Sequence, residues 1–364
     1  MKIKESIRNH FVKPESNEEL TSLRQGKWQY YQPNQLEKFA VEDQVFEVRP
    51  GLTFTPFANP TRCNAHCRFC SEELQRAGQQ NLTAKRIIND YDQYFQALKQ
   101  VLKDISAINQ IGLSLSGLEA TSDPFWLKRL LSLIRENFVN LFDEKVLYTN
   151  SSGLYTHPGL IDELVKTGFD RLEVSRCHFD DEINQQIMYF NRNEPVFLNE
   201  NYEPLIQRLN EVLLVKNSCI LTKTGISSVE LIEEYLEWII GLGVKEVVFR
   251  ELSKISDQYI NNSTKQWVDN NTVSIDSILK SVMPSFEVLR NGWEYLSSKT
   301  GYYYYNESYK YKGKITVVLE TSSYSELINR NQQNVIQKLI FHSNGNLCGD
   351  WDPDNYILNN YFEK

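Results

Sequence analysis

No run of apolar residues in this chain approaches the roughly 20 needed to span a bilayer, so no transmembrane helix is expected. The start, Met1-Lys2-Ile3-Lys4-Glu5, lacks the apolar stretch of a secretory signal, and the expected compartment is the reducing cytoplasm. Basic residues are in deficit: 39 Lys and Arg against 47 Asp and Glu give a formal net charge of -8 with no basic tract, which disfavours nucleic acid as a partner. Histidine is sparse, and of His10, His66, His157, His178 and His342 only the last but one and the last fall where a site is expected, as ordinary hydrogen-bonding residues. Cysteine is sparse too, with six, and Cys177, Cys219 and Cys348 are too scattered for a disulfide framework or an auxiliary cluster.

The other three cysteines crowd into Thr61-Arg62-Cys63-Asn64-Ala65-His66-Cys67-Arg68-Phe69-Cys70, in the spacing C-x3-C-x2-C. Three thiolates so close in sequence can wrap one small metal centre. A zinc knuckle completed by His66 or a distant residue is one reading. A cluster held by three cysteines is the other, and it leaves one iron open to bind a ligand and pass it an electron. The loop resembles the cluster loop of the radical S-adenosylmethionine (radical SAM) enzymes, which has an aromatic residue before the last cysteine, here Phe69. The resemblance implies a [4Fe-4S] cluster on Cys63, Cys67 and Cys70, with S-adenosyl-L-methionine as second cofactor.

The periodicity around that loop predicts an α/β fold. Leu52 to Phe57, Ile111 to Ser116, Lys145 to Thr149, Arg171 to Ser175, Val215 to Leu221 and Lys245 to Arg250 read as six strands. Between them, Arg86 to Lys103, Phe125 to Phe138, Gly159 to Thr167 and Ser228 to Ile240 carry helical stripes, Asp180 can cap a further helix, and Gly168 suits a helix stop. Six repeats are fewer than the eight of a closed barrel. The expectation is a partial (β/α)6 TIM-like barrel over residues 51–255, an N-terminal cap over 1–50, and a β-rich C-terminal α+β extension over 256–364 that closes the barrel mouth. The extension is expected to hold a helix near 274–282 and strands near 301–305, 314–319 and 337–342.

In such a fold the strand ends gather at one face, so the residues after each strand become neighbours. Ser116-Gly117-Leu118-Glu119 is similar to the family's Gly-Gly-Glu-Pro segment, which implies that Ser116, Gly117 and Glu119 hold the cofactor's amino group. It departs from that pattern at Ser116, at the added Leu118 and at Ala120-Thr121. Thr149-Asn150-Ser151 is similar to the family's Thr-Asn-Gly and implies ribose contacts for Asn150, while Ser175 and Arg176 are implied to meet the ribose and the carboxylate, a pairing suited to a guanidinium. Thr222, in Leu221 to Gly225, is implied to pack by the adenine. Arg250 and Glu251 face cofactor or substrate, or else form a structural ion pair; both readings stay open. Cys177 and Cys348 are candidate hydrogen-atom donors, against the alternative of inert core thiols. Asp350, Trp351 and Asp352 read as a substrate-facing turn.

The resemblance implies cleavage of S-adenosylmethionine to a 5′-deoxyadenosyl radical, which abstracts hydrogen from a small polar substrate such as an amino sugar, nucleoside or amino acid in a biosynthetic pathway. The electron would come from a reductant such as flavodoxin or ferredoxin. Two alternatives are carried: maturation of a ribosomally made peptide, and a non-catalytic metal-binding interaction protein.

Overall fold

A computed structural model describes residues 10–30, 36–57, 63–74, 87–191, 193–331 and 334–363. Thr61, Arg62 and Arg86 lie outside the described residues. Among those described, no helix is long and apolar enough to cross a membrane.

The sheet is built on a parallel core. Strands β3 (Gln44–Phe57), β4 (Ile111–Leu115), β5 (Phe142–Thr149), β6 (Arg171–Ser175), β7 (Leu214–Leu221) and β8 (Glu246–Glu251) pair in chain order, all parallel. Helices α2 (Tyr91–Ile105), α3 (Pro124–Asn137), α5 (Gly159–Thr167), α6 (Asp181–Met188), α7 (Asn199–Val212) and α8 (Val229–Gly241) fill the crossovers. Each parallel pair needs such a crossover. Asp90, Asp123, Asp180 and Ser228 each accept a backbone N–H at the start of their helix.

Alternation along the strands gives the sheet two unlike faces. On one face, Phe54, Leu113, Leu172, Val215, Val247 and Leu319 are almost wholly buried beneath the helices. Each such side chain contributes about 1.5–3 kcal/mol. The opposite face, here called inner, is polar: Tyr148 stands beside Glu173, Glu173 beside Lys216, and Ser175 beside Ser218.

The C-terminal strands extend this core from both sides. β11 (Ile315–Ser322) pairs parallel with β8, and β12 (Val335–His342) pairs parallel with β3. Beyond β11 lie antiparallel β10 (Tyr304–Tyr311), β9 (Trp293–Thr300) and β1 (His10–Val12); beyond β12 lie β13 (Asn346–Cys348) and β14 (Ile357–Asn360). The sheet is open, where a partial barrel was expected, and its parallel core holds eight strands rather than six. The extra two come from residues far along the chain.

The open sheet nevertheless curls about its inner face. Lys338 Nζ on β12 lies 5.7 Å from the ring of Tyr303, which precedes β10, and the Arg49 guanidinium on β3 lies 5.9 Å from the ring of Tyr302. A second apolar cluster of Tyr302 and Leu327, flanked by Tyr303, Tyr324 and Trp351, fills the space between the two ends. Helix α11 (Tyr324–Asn331) contributes Tyr324 and Leu327 and links β11 to β12.

Other elements went unread in the sequence. β2 (Glu37–Val41) forms a hairpin with the first half of β3, within the stretch expected to be a featureless cap. α7 carries Pro204 inside it, which removes one amide donor and hides the helical pattern.

Candidate active site

The cysteine loop lies beyond the C-terminal end of β3 and is stitched to the end of α6. Ala65 forms a bridge with Phe190, His66 N donates to Tyr189 O at 2.9 Å, and Arg68 N donates to Ile187 O at 3.0 Å. The Arg68 Nε donates to Gln186 O at 2.8 Å. The last carbonyls of a helix have no partner within it, so these bonds satisfy both segments at once.

A polar clasp ties the same loop to β4 and β5. Asn150 Nδ2 donates to Asn64 Oδ1 at 2.8 Å, and Asn64 Nδ2 donates to Ser152 Oγ at 2.6 Å. Asn150 N donates in turn to Glu119 Oε2 at 2.6 Å, while Glu119 Oε1 accepts from Thr149 Oγ1 at 2.7 Å and Thr121 Oγ1 at 2.6 Å. Burial pushes the Glu119 carboxyl up, and these donors pull it back. Gly117 has φ +96, and a Cβ there would stand 2.0 Å from the Phe57 ring, so only glycine lets this loop approach β3 so closely.

The backbone amides of Ala65, Asn64 and Glu119 favour the charged form of the Cys63 thiol, which places it near the loop after β4. Burial and then the Glu119 charge push it up to about 11. Burial also raises Cys67 well above the ordinary thiol value, helped by Cys70, Cys177 and Cys63, and raises Cys70 to about 12. The three thiols are thus free of disulfides and within electrostatic reach of one another, and each disfavours the thiolate form of the next. A bound metal would make three neighbouring thiolates stable together. Among the described residues, no three His, Cys, Asp or Glu side chains converge on a point that would hold one ion. Three thiols free of disulfides on one loop fit the donor set of a polynuclear iron-sulfur cluster.

No family model and no curated protein matches this chain. Solved structures do. SuiB of Streptococcus suis bound to its precursor peptide SuiA is 14% identical over 95% of this chain and 68% of SuiB, with a TM-score of 0.50. The enzyme anSMEcpe with bound AdoMet is 15% identical over 86% of this chain and 78% of its own, with a TM-score of 0.45. The chain has the radical SAM fold. At these identities the likeness is one of architecture alone.

Within that radical SAM fold, the cysteines, Gly117, Glu119 and Asn150 come together at the ends of β3, β4 and β5, as described. Ser116 lies at the same ends, its Oγ 3.0 Å from that of Ser114. Phe69 is half-buried against the main core. Ser175 closes β6 opposite Ser218 on the inner face. Thr222 is fully buried, and its Oγ1 has no hydrogen-bond partner among the described residues.

Arg176 is the main correction. It is 1% exposed, and its guanidinium donates to Val196 O, Phe197 O, His178 O, Asp181 Oδ1 and Asn199 Oδ1 while stacking 4.7 Å from the Tyr202 ring. Every donor is engaged within the protein, so the expected capture of a carboxylate does not fit this geometry. Cys177 is buried, with its N bonded to Asn184 Oδ1 at 2.9 Å and its thiol within electrostatic reach of Cys67. Cys348 is buried at 0% exposure, pairs with Ile340 and approaches Pro353 O at 3.7 Å.

Arg250 and Glu251 separate to opposite faces. Arg250, on the inner face, bridges Glu173 at 2.5 Å and Glu320 at 2.7 Å and donates to Ser218 Oγ at 2.7 Å. Glu251 accepts from Ile275 N and from Thr321 Oγ1, a structural role. The inner-face residues Tyr148, Glu173, Glu320 and Lys338 escaped sequence reasoning, which looked only at strand ends. Their signal was the polar half of each alternating strand.

Proposed function

We propose that this protein is a radical SAM enzyme whose curled sheet serves as the partial barrel, with residues 256–364 closing its mouth. The observation that carries the reading is the placement of the C-x3-C-x2-C loop against Glu119 and Asn150 at the strand ends of a radical SAM fold. Cys63, Cys67 and Cys70 would hold a [4Fe-4S] cluster, and Gly117, Glu119, Asn150 and Thr222 lie where S-adenosylmethionine would bind. When bound, the pair supplies a low-potential electron and a hydrogen-abstracting carbon radical.

The protein's own part is to position and to shield. Glu119 is held rigid by donors from Thr121, Thr149 and Asn150, so it offers a fixed acceptor edge rather than a mobile acid. The aromatic cluster of Tyr302, Tyr303, Tyr324 and Trp351 excludes water from the inner face. That closure favours a small polar substrate. A ribosomally made peptide is the second reading, favoured by the likeness to SuiB over nearly the whole chain, since that protein is seen with a precursor peptide.

Anaerobic reconstitution with iron and sulfide tests the proposal. Stoichiometric iron and sulfide are expected in the wild type, followed by 5′-deoxyadenosine on addition of S-adenosylmethionine and dithionite. Cys67→Ala is expected to lose both. A protein that takes up zinc and no iron would be a metal-binding module instead.

A further inference from the structure

The proposed function leaves the substrate's chemistry open, and three side chains on the inner face bear on it. Lys338 on β12 is 9% exposed, with Nζ 4.4 Å from the Trp351 ring and 5.7 Å from the Tyr303 ring. Among the described residues it makes neither a hydrogen bond nor an ion pair. The hydroxyls of Tyr303 and Tyr148 likewise donate to nothing among the described residues, and they lie within electrostatic reach of each other. By register Tyr148 faces inward beside Glu173, and Lys338 faces inward beside Thr53.

A buried ammonium without an oxygen acceptor is costly, and two ring faces compensate only in part. Burial accordingly pushes Lys338 down to about 8 against the opposing charges of Asp350 and Glu72. Neither forms an ion pair with it among the described residues, and Asp350 Oδ1 accepts from Asp352 N at 3.0 Å. Arg250, on the same face, is by contrast paired with Glu173 and Glu320 and bonded to Ser218. Three donors that meet no acceptor among the described residues, one of them cationic, on a single face describe the complement of an anionic oxygen group.

We propose that Lys338, with Tyr303 beside it and Tyr148 on the same inner face, anchors a carboxylate of the substrate. The inference rests on the reading of this face as the reaction chamber. A free acid and an acidic peptide present the same group, and the test separates them.

Trp351 is the built-in reporter, with Trp351→Phe identifying its share of the fluorescence. The probes are N-acetylglycine, its amide, and a tripeptide with a free or an amidated C-terminus, at constant chloride. A saturable change is expected with the carboxylates and not with the amides, and Lys338→Met is expected to weaken it about tenfold or more. In parallel, trinitrobenzenesulfonate at pH 8 followed by peptide mapping is expected to modify Lys338 ahead of surface lysines, with the carboxylates slowing that reaction. Saturation by N-acetylglycine alone points to a small acid; saturation by the free-acid tripeptide with greater affinity points to a peptide. Equal responses to acid and amide, or unchanged binding in Lys338→Met, would overturn the assignment. Iron and sulfide content of the reconstituted wild type judges the cluster separately, so either idea can fail alone.

Discussion

Arg176 shows how one residue's surroundings decide its role. Its five contacts come from the turn after β6, from Asp181 at the start of α6, and from residues 196–199 leading into α7. Lysine cannot reproduce a planar fork that meets acceptors on several sides. Arg176→Lys is therefore expected to lower unfolding stability by about 3 kcal/mol, read from the denaturant midpoint, because Asp181 and two carbonyls lose a buried donor. Affinity of the folded, reconstituted variant for S-adenosylmethionine should stay as in the wild type. Weakened cofactor binding with unaltered stability would restore the role read from the sequence. That reading placed Arg176 correctly at a strand end. The direction of the side chain was not legible, because its acceptors lie on a turn and on a helix that the pattern conceals.

Among elements, helix α1 (Asn17–Gln25) illustrates what composition hides. Residues 1–50 read as a polar cap, yet Arg24 enters the body of the protein and pairs through Nε and Nη2 with both oxygens of Glu307 at 2.7 Å. The Glu307 side chain is 0% exposed and also accepts from the hydroxyls of Tyr305 and Tyr309. The pair fastens an N-terminal helix to strand β10, across nearly the length of the chain. Arg24→Met would leave that carboxylate buried without its cation. The expected loss is about 3–5 kcal/mol, measured by chemical denaturation, with Arg24→Met/Glu307→Gln recovering part of it. Recovery distinguishes a charge effect from lost packing. The six core strands were legible because buried parallel strands are apolar on one face and short, with helices between them. β9 went unread and β10 was read only at its start for the opposite reason: Ser, Lys, Glu and Tyr fill them, and only the register of β10 with β11 and of β9 with β10 makes them strands.

For the molecule as a whole, the division into residues 51–255 and 256–364 meets a sheet that runs through both. β8 has β11 on its outer side, and β3 has β12, so a chain ending near 255 would expose two parallel edges that are interior in the full protein. It would also strip Val317 and Leu319 from the apolar core, along with Ile336, Leu339 and Phe341, all at 0% exposure. At about 1.5–3 kcal/mol for each of these five, the loss is as large as the whole stability of an ordinary domain, about 5–15 kcal/mol. A fragment of residues 51–255 is thus expected to lack a cooperative thermal transition and to aggregate through its edges, while the full chain unfolds in one transition by circular dichroism. Co-expression with residues 256–364 should rescue the fragment, since the missing strands pair with edges already formed. A fragment that melts cooperatively by itself would mean that the strands after β8 cover a finished barrel, and the inner-face site would then have to be complete without Lys338.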